Sequence, residues 1–192
     1  MSLDPSAVME ALRAAYLSRE EELRARFARS LPFQDAMFDR WERARRLGFG
    51  EGASIYNSAA VFGEVTVGPA SWIGPNVVLD GSAAPVAIGR YCSISAGAMV
   101  FTHDTVLWAV SGGRQRGRTG PVTIADNVYV GSQCVIVPGV TIGSRVVVAA
   151  NSLVNRPVAE GTIVAGTPAR EIGRVVVGDD GACSLVYHGR DG

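Results

Sequence analysis

The sequence predicts a mainly β protein wound as a parallel β-helix, and three observations predict it. First, Ile55, Val61, Val67, Ile73 and Leu79 are aliphatic and stand six apart. The count resumes at Ile88, Ile94 and Val100, then again through Ile124, Val130, Ile136, Ile142, Val148 and Val154. Second, a smaller side chain falls four residues after most of these, at Ala59, Val65, Ser71, Val77, Ala83, Cys92, Ala98, Val128, Cys134, Val140, Val146 and Ser152. Third, glycine is 23 of 192 residues and directly follows the aliphatic position at 68, 74, 89, 131 and 143. The third place after it is often Asn or Gly (Asn76, Gly97, Asn127, Gly139, Asn151), residues that tolerate a left-handed corner. A period of six in this phase means short strands separated by regular turns. Each strand sends one aliphatic side chain inward, and stacked coils turn these into a continuous interior ladder.

The elements follow in order. Residues 1–50 carry nine arginines and eight acids, against seven and six in the much longer stretch 51–170, and read as an N-terminal helical segment. A helix is expected from Asp4-Pro5-Ser6, with Val8, Leu12, Ala15, Leu23 and Phe27 on its apolar side, until Leu31-Pro32 breaks it. A second is expected over 33–46, with Met37, Phe38, Trp41 and Leu47 as its apolar side, ended by Gly48 and Gly50. These helices should cap the first coil, since an open end of a repeat array exposes apolar interior. The β-helix is assigned to 51–172. It slips by three residues at 84–86 and is interrupted by a protruding loop, 104–120. The tail, 173–192, reads as two short strands, 175–177 and 184–187, around Gly178-Asp179-Asp180-Gly181, packing on the helix or on a neighbouring chain.

Composition removes several classes of function. The formal net charge is zero, so no whole-molecule field draws the chain to nucleic acid or anionic membrane. No run of apolar residues is long enough for a membrane span, and the start lacks the order of a signal peptide. Cys92, Cys134 and Cys183 are too few and too scattered for a disulfide framework or a zinc ribbon, which points to the cytoplasm. Cys92 and Cys134 share the small interior position and read as space-filling thiols. Every basic residue is arginine, so lysine Schiff bases and P-loop lysines are unavailable. Two histidines cannot make a three-histidine zinc site, and no metal is expected.

The hexapeptides Val67-Gly68-Pro69-Ala70-Ser71-Trp72, Ile73-Gly74-Pro75-Asn76-Val77-Val78, Val130-Gly131-Ser132-Gln133-Cys134-Val135 and Ile142-Gly143-Ser144-Arg145-Val146-Val147 resemble those of the hexapeptide-repeat acyltransferases. That group includes the galactoside, maltose and serine acetyltransferases and the capsule or lipopolysaccharide O-acetyltransferases. Ala165-Gly166-Thr167-Pro168-Ala169-Arg170 matches the tail of their repeat domain. The stretch 33–52 is similar to the leader of the capsule-type enzymes. The resemblance implies a left-handed β-helix, a triangular prism of three hexapeptides per coil. It also implies a homotrimer with active sites between subunits, and acetyl-CoA as acyl donor.

The loop is the place to look for chemistry, because a long excursion from a rigid array is more often functional than filler. His103 stands three residues after Val100, the corner phase, and should point outward at the base of the loop. An imidazole, with an unperturbed pKa of about 6.5, suits removal of a hydroxyl proton. In the resembling enzymes a histidine at this place is the general base. Asp104 is the expected partner that orients it. By alignment the donor-binding residues are Ser132, Ala150, Asn155, Gly166, Thr167 and Arg170, the Ser132 amide facing the developing oxyanion. Arg156, Arg170 and Arg174 either meet the donor phosphates or are solvated edge residues. Asp80 falls near an acid that galactoside-type enzymes use for sugar hydroxyls; alternatively it caps its own turn. Trp108 is expected to stack on a sugar. Arg114, Arg116 and Arg118 either meet an anionic acceptor or form a solvated tip, and His188 is a surface residue of the tail.

The resulting expectation is a cytoplasmic, acetyl-CoA-dependent O-acetyltransferase acting on a hydroxyl of a sugar or glycan precursor. The alternatives are N-acetylation of an amino sugar and a non-catalytic β-helix used as an assembly module.

Overall fold

A computed structural model describes residues 4–189; the outermost residues of the N-terminal segment and of the tail, 1–3 and 190–192, lie outside them. The stretch from Ser54 to Gly166 winds as a parallel β-helix with three faces. One face stacks Ser54–Ile55, Trp72–Ile73, Ser93–Ile94, Tyr129–Val130, Val147–Val148 and Thr162–Gly166. The second stacks Ala60 and Val61 on Val78 and Leu79, then Met99 and Val100, then Val135–Ile136, then Leu153–Val154. The third stacks residues 65–67 on 86–88, then Val122–Ile124 and Thr141–Ile142, with a bridge to Val158.

The aliphatic positions are the interior ladder. All fourteen except Val61 are buried, and Val61 packs against the same core cluster. The small second position is interior as well in most coils: Ala59, Ser71, Val77, Cys92, Ala98, Cys134 and Ser152 are buried, whereas Val65 is half-buried and Ala83, beside the slip, is exposed. Burial pushes the Cys92 and Cys134 thiols up in pKa. Their Sγ atoms donate to the carbonyls of Ala125 and Ala149, each at 3.0 Å. Ala70, Asn76, Tyr91, Asn127, Gln133, Arg145 and Asn151 all take positive φ between 53° and 61°, as the corner phase requires. The glycine that opens a corner has a different reason: a Cβ on Gly131 would stand 2.5 Å from the backbone nitrogen of Ala150 in the next coil. The slip at 84–86 is absorbed at one corner, where the register changes between Gly63 and Val65 and Val86 takes an interior place.

The N-terminal helices depart from expectation in two ways. Helix α1 (Pro5–Phe27) begins on the Asp4 cap, but only Leu23 is buried, while Leu12 and Phe27 are exposed. It packs on α2 (Phe33–Met37), with Tyr16 Oη donating to the Leu31 carbonyl at 2.9 Å and Arg19 Nε to the Ala36 carbonyl at 3.2 Å. The single helix expected over 33–46 is two. Phe38 is extended, and the Asp39 carboxylate accepts from the Glu42 N–H at 2.7 Å to start α3 (Arg40–Arg46). An Asp three residues before a Glu is a strong local start signal, and it splits the segment. The break turns Ala36 and Ala44 inward and leaves Phe38, Trp41 and Leu47 exposed. Arg43 then donates to the carbonyls of Tyr56 and Ala59, so α3 does close the first coil.

At the other end the strand Ala169–Val177 runs antiparallel to Thr162–Gly166 and pairs with Cys183–Tyr187. The hairpin thus extends the first face without a break at residue 172. No helix among the described residues is long and apolar enough to cross a membrane.

Candidate active site

The corner after the second face brings together His103, expected as the general base, and Asp80, expected at the acceptor. Asp80 pairs in register with Phe101 of the next coil, which brings the Asp80 and His103 side chains together. Thr102, fully buried, holds them there. Its N–H and its Oγ1 both donate to the Asp80 carbonyl, at 3.1 and 2.8 Å. Its Oγ1 also accepts from the Ala84 N–H at 3.3 Å, and its carbonyl accepts from Gly120 N–H at 2.9 Å. Thr102 was not among the residues singled out in the sequence; its signal is only a polar residue adjoining the histidine.

Asp80 Oδ1 accepts from the Ser82 hydroxyl at 2.5 Å and from the Ser82 N–H at 3.0 Å. The capping role foreseen as an alternative for Asp80 is therefore present, and it uses one oxygen. The other, Oδ2, lies 3.8 Å from His103 Nδ1. That nitrogen is buried and has no hydrogen-bond partner, while the His103 side chain as a whole is 35% exposed. Burial raises the Asp80 carboxyl, but the two Ser82 hydrogen bonds and the His103 charge outweigh it, and the pKa lies below the ordinary value.

Asp104 does not fill the place expected of it. Its carboxylate accepts from the backbone N–H of Val106 at 3.1 Å and of Arg118 at 3.3 Å. It closes the neck of the loop, and the carboxylate within ion-pair distance of the imidazole is that of Asp80. Adjacent side chains on an extended chain diverge, so Asp104 faces the loop while His103 faces the coil below. The neck is completed by a bridge between His103 and Thr119 and by Asp104 N–H donating to the Arg118 carbonyl at 2.9 Å. Beyond it, a short helix, α4 (Val106–Val110), presents Trp108 to solvent, 57% exposed.

The residues aligned with a donor site fall on two different edges. Ser132, Ala150, Gly166 and Thr167 form a column at the corner after the first face. There the Ser132 carbonyl accepts from Asn151 N–H at 2.9 Å, and Thr167 Oγ1 donates to the Asn151 carbonyl at 3.2 Å. Asn155 and Arg156 lie after Val154 of the second face, on the His103 edge, further along the prism. They line a cleft of about 260 Å³ with Val158, Thr162 and Arg170. His188 is exposed and pairs with Glu171 at 3.2 Å, away from this corner. No group of His, Cys, Asp and Glu that could hold a metal ion is present among the described residues.

A model of the bacterial transferase hexapeptide, six repeats, matches residues 121–156. The solved structure of a hexapeptide-repeat-containing acetyltransferase from Vibrio cholerae is 33% identical. It covers 88% of this chain and 94% of that one, with a TM-score of 0.65. The chain belongs to the hexapeptide-repeat acetyltransferase family. As a member of it, the β-helix described above is left-handed. The Vibrio cholerae protein has also been solved complexed with acetyl coenzyme A, at a TM-score of 0.62 to this chain. Galactoside O-acetyltransferase of Escherichia coli is 32% identical over 126 residues, 56% of this chain and 62% of that protein. The 2,3,4,5-tetrahydropyridine-2,6-dicarboxylate N-acetyltransferase of Staphylococcus aureus is 48% identical over 52 residues, 27% of this chain and 22% of that protein. The chain thus spans less than two thirds of the length of these two curated relatives.

Proposed function

We propose that this chain is an acetyl-CoA-dependent O-acetyltransferase acting on a hydroxyl of a sugar or glycan precursor, with His103 as general base. The observation that carries the reading is the orientation of the imidazole: its buried Nδ1 lies toward Asp80 Oδ2 in a ring that is otherwise partly exposed at the base of the loop, which leaves Nε2 for the acceptor. A proton on Nδ1 facing the carboxylate leaves the Nε2 lone pair free to accept. Asp80 then acts as a positioning residue, a role the sequence gave to Asp104. The 3.8 Å separation closes to a hydrogen bond with a small shift, as catalytic contacts do when substrate binds.

In the reaction, Nε2 takes the acceptor's O–H proton as its oxygen bonds to the thioester carbon. The carbon–sulfur bond then breaks, and the imidazolium returns the proton to the leaving thiolate. The Ser132 amide is assigned to the developing oxyanion, and Ala150, Asn155, Gly166 and Thr167 to the walls of the donor groove. Arg156 and Arg170 are assigned to the donor phosphates, and Trp108 to the acceptor. The complex of the Vibrio cholerae relative with acetyl coenzyme A supports this choice of donor. The same base serves an amine acceptor, and the match to an N-acetyltransferase favours keeping that second reading. The intact His103–Asp80 corner speaks against a non-catalytic module.

Because the His103 edge and the Ser132 column are different edges of one prism, a complete site needs a second chain. We assign the assembly as a homotrimer with sites between subunits. Unpaired Cys92, Cys134 and Cys183 suit a reducing compartment, the cytoplasm.

Calorimetric titration with acetyl-CoA, followed by thiol release in the presence of sugars, tests the reading. The expected result is about one donor site per chain. His103→Ala should lose on the order of 10²–10⁴ in turnover while its donor affinity stays that of the parent protein. No binding at millimolar donor, or full turnover in the variant, would overturn it.

A further inference from the structure

The loop carries a one-sided charge that the transfer chemistry does not use. Its arginines are Arg114, Arg116 and Arg118; its one acid, Asp104, is engaged by two backbone N–H groups. Arg118 is tied to the Pro138 carbonyl at 3.3 Å. Arg114 and Arg116 make no side-chain hydrogen bond or ion pair among the described residues. The backbone at Arg116 is constrained all the same. Gly117 sits so close to the neck that a Cβ there would stand 1.7 Å from the Asp104 carbonyl oxygen. With the His103–Thr119 bridge, this pins the returning limb of the loop beside the residue that follows the base. Arg116 and Arg118 therefore leave the chain on either side of a point in contact with Asp104.

We propose that this loop makes the acceptor site selective for anionic saccharides, Arg114 and Arg116 gripping a carboxylate or phosphate of the acceptor while its hydroxyl faces His103. The proposal rests on the transferase reading above. A guanidinium presents paired donors in a planar fork that matches either anion. The donor's own phosphates are the other source of negative charge. The arginines aligned with them, Arg156 and Arg170, stand two or more coils beyond His103, roughly 10 Å or further along the prism at about 4.8 Å per coil. The returning limb that carries Arg116 is pinned instead beside Asp104, next to His103.

The test uses the full-length protein with three acceptors, galactose, galacturonate and galactose 6-phosphate, and reads thiol release from acetyl-CoA. The expected preference in kcat/KM for the anionic sugars over galactose is about tenfold or more at low salt, shrinking as salt is raised. The double variant Arg114→Gln with Arg116→Gln should raise the KM for the anionic acceptors about tenfold and bring the preference close to one, with the donor KM moving less than about twofold. Equal use of the three sugars by the parent protein overturns the proposal. So does a variant whose donor KM rises instead, which would assign the arginines to the donor phosphates. Saturation-transfer NMR of galacturonate binding separates the two readings. If nothing turns over yet the parent binds galacturonate and the variant does not, the transferase reading falls and the anion site stands. If nothing turns over and galacturonate does not bind, both fall.

Discussion

His103 Nδ1 is a buried nitrogen with a carboxylate oxygen 3.8 Å away and no hydrogen bond. A buried polar atom left unsatisfied costs about 1–3 kcal/mol, so the contact is poised to close rather than to open. Asp80→Asn keeps an oxygen for the Ser82 N–H but removes the charge facing the imidazole. Turnover should drop on the order of 10²-fold with the donor KM little changed, and Asp80→Glu should recover part of it. A purely structural Asp80 would move neither kcat nor its recovery in this way. The same residue gives a pH signature. Its pKa is lowered in the fold, so the ionised form stabilises the native state above the ordinary carboxylate range, about pH 4, and that stabilisation is lost as pH falls through the lowered value. Urea unfolding of the parent protein and Asp80→Asn should therefore show a stability gap at pH 7 that narrows as pH falls below the ordinary carboxylate value, about pH 4. The place of His103 at the base of the loop was legible in the sequence, because the corner phase and the loop both point at it. Its nearness to Asp80 was not. Asp80 lies one residue after Leu79 and His103 three after Val100, and only the stacking of those two coils, with a slip between them, makes them neighbours.

Strands and corners were legible for a different reason than helices. Each coil repeats one environment, so the same side-chain choice recurs six residues on, and the phase alone separates ladder, filler and corner. The helices have no such repetition. Their faces depend on what they pack against, and α1 packs on α2 and on Ser30 and Leu31 of the connection, leaving Val8, Leu12 and Phe27 exposed. The Asp39 cap, a local signal, overrode the wider apolar pattern over 33–46. The corners also set a tolerance that can be measured. Gly131 adjoins Ser132 and meets the Ala150 backbone, so Gly131→Ala forces two coils apart within the donor column. The expected cost is about 1–3 kcal/mol in denaturant unfolding, as for other overpacked sites. The donor KM should rise as well, because Ala150 is displaced. An unmoved donor KM in a destabilised Gly131→Ala would take the Ser132–Ala150 column out of the donor groove.

One prism places His103 on the edge after its second face and the Ser132 column on the edge after its first. On the reading proposed above, a chain acting alone presents one half of a site on each of two edges and a complete site nowhere. Its outer surfaces are consistent with company: Tyr129 and Met99 are exposed on the first two faces, while the third presents Thr123 and Thr141. If His103 of one chain works against the donor column of the next, defects on the two edges must complement. His103→Ala removes the base; Ala150→Trp fills the donor groove and leaves the base intact. Each variant alone should be inactive. Co-expressed in equal amounts, they assemble at random. A site is then intact when one neighbour supplies His103 and the other an open groove, each with probability one half, or about one quarter of sites. Recovery of about a quarter of parental turnover in the mixed assembly, measured as thiol release per site, is the expected outcome. Sites contained within single chains would recover nothing at any mixing ratio, and that result would return both halves of the chemistry to one edge of one prism.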